Sequence, residues 1–179
     1  MHALIAAVAL ALPPAVPAAP ATAPAAAVPS RASQPETGER IARITIARMK
    51  VRGPVREGVT RRVLARGIGH YPGTAMPGET GNAVLLAHRT TFRAPFARIG
   101  RMRASDRITV KAGGRTFVYR AYGKRVISPR RTSVLAPVPF RWGATPREAV
   151  LTLVSCHPPG SDRARLVVLA RLEPGRGAW

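Results

Sequence analysis

One cysteine, four histidines and 26 arginines are the side chains of this 179-residue chain on which covalent chemistry could be built. The thiol, Cys156, ends the apolar run Leu151-Thr152-Leu153-Val154-Ser155, and nine residues on Arg165 opens a second, Leu166-Val167-Val168-Leu169-Ala170. Runs of this length and composition predict buried strands. A thiol at one strand end, with a guanidinium at the neighbouring one, can attack a carbonyl and stabilise the oxyanion that develops. His88 follows a third apolar run, 82–87, and so also projects from a strand end into a loop. An imidazole there can stand as an imidazolium beside a thiolate or act as a neutral base. It can protonate an amine leaving group and later deprotonate an incoming amine. His88, Cys156 and Arg165 are the candidate catalytic residues.

Each has a competitor. A lone cysteine is otherwise a small buried hydrophobe, and a histidine after a strand can simply cap it. Arg163 lies two residues before Arg165, on the same strand face if the strand starts early enough. His157 follows Cys156 directly; neighbours along a strand point to opposite faces, so it reaches the thiol only if the chain turns at Pro158-Pro159-Gly160. It is the second choice of base. His70, between Gly69 and Tyr71, is expected in a loop, where lining a pocket and packing a turn are equally open to it. No nucleophile elbow, phosphate loop or paired-carboxylate constellation is visible, and no cofactor is called for. A single cysteine excludes a disulfide framework and a multi-cysteine metal site. Eight carboxylates in the whole chain are too few to suggest a calcium site.

The net charge is +21, from 29 basic against 8 acidic residues. Such a field favours anionic surfaces: nucleic acid, anionic lipid or the polyanions of a bacterial wall. The basic residues occur in ones and twos (Arg61-Arg62, Arg130-Arg131), a pattern of a solvated surface and not of a groove-reading motif. Nucleic acid is therefore not expected as a partner.

The elements that must position the candidates are mostly strands. Residues 1–30 carry no charge, and 3–12 form an apolar run closed by Pro13-Pro14. That is too short for a spanning helix and fits a signal-peptide core or a truncated membrane anchor. Residues 13–40 are a Pro/Ala-rich linker, with seven prolines between 13 and 35. The folded domain is expected over 41–179. Within it, 41–48 alternates as a half-buried strand and 59–66 makes a short helical turn. Residues 67–81 form a Gly/Pro-rich loop and 82–87 a buried strand. A short helix or turn covers 96–102, and 107–111 and 115–125 form a hairpin about Ala112-Gly113-Gly114. Strands at 149–154 and 165–172 complete the set. Many short strands with little helix indicate a closed β-barrel or a sandwich.

These residues, in this order, resemble the sortase family. Thr152-Leu153-Val154-Ser155-Cys156 is similar to its TLxTC strand, and Arg165 precedes a Leu-Val-Val strand. The segment from Gly81 to Thr90 is similar to the strand carrying the family's catalytic histidine. The stretches 69–78 and 89–96, with Cys156-His157-Pro158, resemble the class E sortases of high-GC Gram-positive bacteria. Ser155 stands where that pattern has Thr, Leu86 where it more often has Ala or Gly, and Arg103-Ala104-Ser105-Asp106 where it has Arg-Pro-Gly-Asp.

The resemblance implies an eight-stranded β-barrel on the outer face of the membrane. It implies cleavage of a C-terminal LAxTG- or LPxTG-like sorting signal between Thr and Gly, the former preferred. A thioester on Cys156 would then pass to an amine of a peptidoglycan precursor, with His88 as acid/base and Arg165 as substrate and oxyanion contact. The implied partners are secreted proteins bearing the signal, the precursor amine and an anionic wall or membrane surface. Two other kinds of protein fit the bare composition: another cysteine wall enzyme (an L,D-transpeptidase or an NlpC/P60-like peptidase) and a non-catalytic basic module binding a polyanion. The former usually have a histidine just before the cysteine or a cysteine ahead of the base, whereas here His88 precedes Cys156 and no histidine immediately does.

Overall fold

Ile44 and Ile46 alternate with exposed neighbours along the first strand, β1 (Arg40–Ile46), which has one face in a core and one in solvent. The computed structural model describes residues 34–175. The expected apolar segment 1–12, and the linker 13–40 apart from its last residues, lie outside them. After β1 come β2 (Val51–Glu57), the five-residue helix α1 (Arg61–Ala65), β3 (Ile68–His70) and β4 (Gly81–Leu86). Then follow β5 (Arg107–Ala112), β6 (Arg115–Ile127), β7 (Ala149–His157) and β8 (Ala164–Leu172). The strands close into one barrel in the order β1-β2-β3-β4-β7-β8-β6-β5. The barrel, not the sandwich, is the architecture, and it has eight strands.

Local chemistry accounts for the connections. Gly113 and Gly114 both have positive φ, 53° and 73°, as a two-residue hairpin between β5 and β6 requires. Thr60 caps α1 by accepting the Val63 N–H. Ser105 occupies the left-handed region at φ 68°, in the turn position where the family pattern carries glycine.

Two strands were not anticipated. β2 contains Gly53 and Pro54, which argue against a strand, but β3 pairs only with Val55, Arg56 and Glu57. Pro54 therefore lies in a stretch with a single neighbour, where its missing N–H costs no bond on the open side. The expected loop at 67–81 contains β3, so His70 is a strand residue, corrected from the loop position the flanking glycines suggested. It is 1 % exposed and its Nδ1 stands 2.7 Å from Glu57 Oε2. The Thr74 hydroxyl gives its one proton to the Tyr71 carbonyl at 2.7 Å. His70 Nε2, 3.0 Å from both Thr74 Oγ1 and the Ala75 carbonyl, must then be a donor. The 2.7 Å contact between Nδ1 and the Glu57 carboxylate ties β3 to β2. Removing one partner of a buried pair leaves the other unsatisfied, so Glu57→Ala should lower the unfolding free energy by about 3 kcal/mol or more in a denaturant titration. Tyr119, buried in the core, accepts the Gly78 N–H at 2.7 Å, and burial pushes its phenol up to about 12.

β4 and β7 read as continuous apolar runs because both of their faces are covered. Inside the barrel, Ala83, Leu85, Leu151 and Leu153 join the main core with Ile44, Tyr119 and Val168. Outside it, Val84, Val154, Val167 and Leu169 form a second cluster with Val134. The cover over this outer cluster comes from the β6–β7 connection. Asn82 Nδ2 donates to the Val134 and Ala136 carbonyls at 2.8 and 3.0 Å, and Thr152 Oγ1 donates to Asn82 Oδ1 at 2.6 Å. A buried amide so engaged fixes the 3-10 turn Thr132–Leu135 over the outer face of β4 and β7.

Candidate active site

β4 and β7 run parallel with Val84 opposite Thr152 and Leu86 opposite Val154. Val84 and Val154 point outward, into the second cluster, and Leu86 packs against it. Leu85, Ala87 and Leu153 point inward. Strict alternation then places the next outward residue of each strand at His88 and Cys156, two positions beyond the last paired residues. β8 lies antiparallel on the other side of β7, with Cys156 directly opposite Arg165 and Val154 opposite Val167. Directly opposed residues of antiparallel strands share a face, with Cβ atoms about 5 Å apart. Three neighbouring strands thus bring His88, Cys156 and Arg165 to one end of one outer face, with Cys156 on the middle strand. The thiol is half-buried, as are the imidazole and the guanidinium.

Backbone contacts fix this end. The Ala87 N–H donates to the Val154 carbonyl at 3.3 Å, extending the ladder one residue past β4. Ser155 turns its hydroxyl inward and donates to the Ala87 carbonyl at 2.7 Å, in a buried position. The residue before the cysteine therefore holds the residue before the histidine, and a hydroxyl there suffices whether it belongs to Ser or Thr. The His88 carbonyl accepts the N–H of Phe96, a fully buried residue. His88 Nε2 is buried without a hydrogen-bond partner among the described residues. A buried ring nitrogen left unmatched is costly in a structural role and is what a group awaiting a reactant would show. The Phe92 ring lies 4.9 Å from the His88 ring at 38°, and is itself 58 % exposed. Phe92 and Ala94 hold φ of 54° and 39°, left-handed backbone that costs about 1 kcal/mol or more per non-glycine residue.

The competitors separate by position. β8 starts at Ala164, so Arg163 lies outside the strand, is exposed and bonds its own loop through Ser161 Oγ. Arg165 Nη1 donates to the Asp162 and Ala164 carbonyls at 2.7 and 3.0 Å, while its Nε and Nη2 make no hydrogen bond among the described residues. His157 is the last residue of β7, and alternation turns it away from the outer face. Its Nδ1 lies 2.8 Å from Arg89 Nη1. His70 is occupied by Glu57 on the far side of β3 and forms no part of this face. Among the described residues no cluster of three or more His, Cys, Asp or Glu side chains could hold a metal ion.

At the opposite end of the outer face is a cavity of about 440 Å³, lined among others by Tyr71, Ala75, Asn82, Leu135 and Trp142. From Asn82 to His88 is about 20 Å along an extended strand.

A family model described as the sortase domain matches residues 44–173. The chain belongs to the sortase family. Among curated sortases it is 35 % identical over 145 residues to Sortase SrtE1 of Streptomyces coelicolor, covering 76 % of this chain and 41 % of that one. The chain thus spans about two fifths of that relative. The crystal structure of sortase E1 from the same species, with a tripeptide in its active site, superposes with a TM-score of 0.70 at 33 % identity. That match covers 76 % of this chain and 89 % of the other. The SrtF sortase of Corynebacterium diphtheriae gives a TM-score of 0.75 at 25 % identity, over 86 % and 97 % of the two chains. Sequence reasoning about this sortase passed over one well-placed residue, Arg89. An arginine in so basic a chain reads as surface, yet this one is only 9 % exposed.

Proposed function

We propose that this sortase is a cysteine transpeptidase that cuts an LAxTG-like C-terminal sorting signal between Thr and Gly and passes the Thr acyl group to an amine. The observation that carries the reading is that Cys156 stands opposite Arg165 across β7 and β8 while His88 lies two residues past Leu86, which pairs with Val154 of β7, at the same end of one outer face.

The chemistry follows from the groups. Cys156 sulfur, as thiolate, attacks the Thr carbonyl carbon and forms a C–S bond while the carbonyl π pair moves to oxygen. The Arg165 Nε and Nη2 protons, unused by acceptors among the described residues, suit that oxyanion. The tetrahedral centre collapses by breaking the C–N bond, and imidazolium His88 gives its proton to the departing Gly nitrogen. His88, now neutral, takes a proton from the incoming amine as that amine attacks the thioester. The C–S bond breaks, thiolate is regenerated and imidazolium restored. An extended five-residue signal spans about 17 Å, which suits a peptide lying along β4 from the cavity at Trp142 to the thiol.

The acceptor we propose is an amine of a peptidoglycan precursor, and the donors are secreted proteins bearing the signal. A chain of net charge +21 suits an anionic wall or membrane surface. No helix among the described residues is long and apolar enough to cross a membrane. For placement on the extracytoplasmic side we assign the segment 1–12 as a signal-peptide core or a truncated membrane anchor, with 13–40, up to the start of β1, as spacer and 41–179 as the catalytic domain.

The reading is tested with quenched fluorogenic peptides containing LAxTG or LPxTG, each with and without a small amine, the products being weighed by mass spectrometry. Cleavage at Thr–Gly with an amine-ligated product, faster for LAxTG, is the expected result. No cleavage of either peptide, with salt-sensitive binding of a polyanion instead, would favour the non-catalytic basic module.

A further inference from the structure

The residue after His88 turns the other way and becomes buried. Arg89 is 9 % exposed, and its Nη1 donates to the Cys156 carbonyl at 3.1 Å while lying 2.8 Å from His157 Nδ1. A guanidinium nitrogen can only donate, so His157 Nδ1 accepts and the ring proton of a neutral His157 sits on Nε2. Arg89 Nε is buried with no partner, and no carboxylate pairs with this guanidinium among the described residues. Its Nη2 lies toward Gly100, at 3.4 Å from where a Cβ on that glycine would be. Lys124 also reaches Gly100, donating to the Gly100 and Met102 carbonyls.

A buried cation without a counter-ion is expensive to keep. It becomes intelligible if an anion forms close by during turnover, and the residue whose carbonyl it holds is the thiol-bearing Cys156. We propose that Arg89 is a positioning residue of the transpeptidation site: it clamps the end of β7 to the end of β4 through the Cys156 carbonyl, and its uncompensated charge favours the thiolate. The proposal rests on Cys156 and His88 being nucleophile and acid/base.

Two consequences separate charge from clamp. Arg89 lies on the side of β7 away from the face that carries His88 and Arg165, so it does not compete with substrate for that face. Its loss should therefore reduce kcat and leave KM nearly unchanged. The groups facing the thiol from the outer side are His88 at the end of β4 and Arg165 on β8, and both remain in place. On the other side stands His157, whose Nδ1 Arg89 holds, so a change in the pH dependence of thiol reactivity that Arg89→Lys reverses reports the charge beneath.

The test compares wild type with Arg89→Met, which keeps length without charge, Arg89→Gln, which keeps a donor, and Arg89→Lys, which keeps the charge. Each is measured by peptide cleavage and by the rate of Cys156 alkylation with iodoacetamide from pH 5 to 10, on protein whose folded fraction is set by circular dichroism. The expected result for Arg89→Met and Arg89→Gln is a loss of about 10²-fold in kcat. KM should stay within about twofold, and the alkylation midpoint should move up by about one pH unit. Arg89→Lys should restore the alkylation profile and at least about tenfold of the kcat lost. Wild-type kcat and an unmoved alkylation profile in folded Arg89→Gln would overturn the proposal, as would activity lost only in proportion to the unfolded fraction. Should wild type cleave no sorting peptide, the transpeptidase reading fails, while the alkylation profiles still decide whether Arg89 acts on the thiol.

Discussion

Cys156→Ala is expected to abolish both peptide cleavage and amine ligation, by about 10⁴-fold or more in kcat/KM, without measurable loss of stability. The size follows from what the sulfur does. It is the chain's one thiol and stands on the outer face to which His88 and Arg165 also belong, so in the proposed mechanism removing it removes both covalent steps and not one contribution among several. The thiol is half-buried at a strand end, outside both apolar clusters, so its replacement by a methyl group leaves little cavity and little destabilisation. Peptide binding should survive, because the outer face of β4 is untouched. Steady-state turnover and fluorescence anisotropy of the same labelled peptide check the two halves of this expectation.

The second large effect separates two histidines that are both close to the cysteine. His88→Ala should lower kcat by about 10³-fold or more, since one imidazole serves the departing and the incoming amine. His157→Ala should retain most of the turnover, although His157 is bonded to Cys156. Strand alternation turns its ring from the outer face, and Arg89 engages its Nδ1. Imidazole added in the assay gives a further check: it rescues a missing acid/base at position 88 and does nothing for His157→Ala. The reverse ranking of the two variants would replace His88 by His157 as the base.

Much of this was legible because a strand covered on both faces is written as an unbroken apolar run. Residues 82–87, 149–154 and 165–172 are close to such runs, broken only by Asn82, Thr152, Arg165 and Arg171, and they became β4, β7 and β8. The candidate site lies where each apolar stretch meets a polar residue: His88 after one, Cys156 after another, Arg165 at the head of the third. What one-dimensional reading lacked was the pairing. That Leu86 faces Val154 in parallel, and Cys156 faces Arg165 in antiparallel, depends on barrel closure between residues far apart in the chain. β2 stayed hidden because Gly53 and Pro54 contradict a strand, and β3 because Ile68-Gly69-His70 is only three residues long with a glycine at its centre and carries no period. His70 was misplaced in a loop because its partner, Glu57, belongs to β2. Arg89 was hidden by its own abundance: among 26 arginines, only burial distinguishes it.

The central claim is that Cys156 carries the acyl group of the substrate, and it is tested by intact-mass spectrometry of the protein mixed with an LAxTG peptide in the absence of added amine. The account predicts a mass increase equal to the peptide up to and including Thr, located on Cys156 by proteolysis, released by hydroxylamine and absent from Cys156→Ala. Cleavage without any hydroxylamine-labile adduct on wild type, or an adduct on a residue other than Cys156, would contradict it.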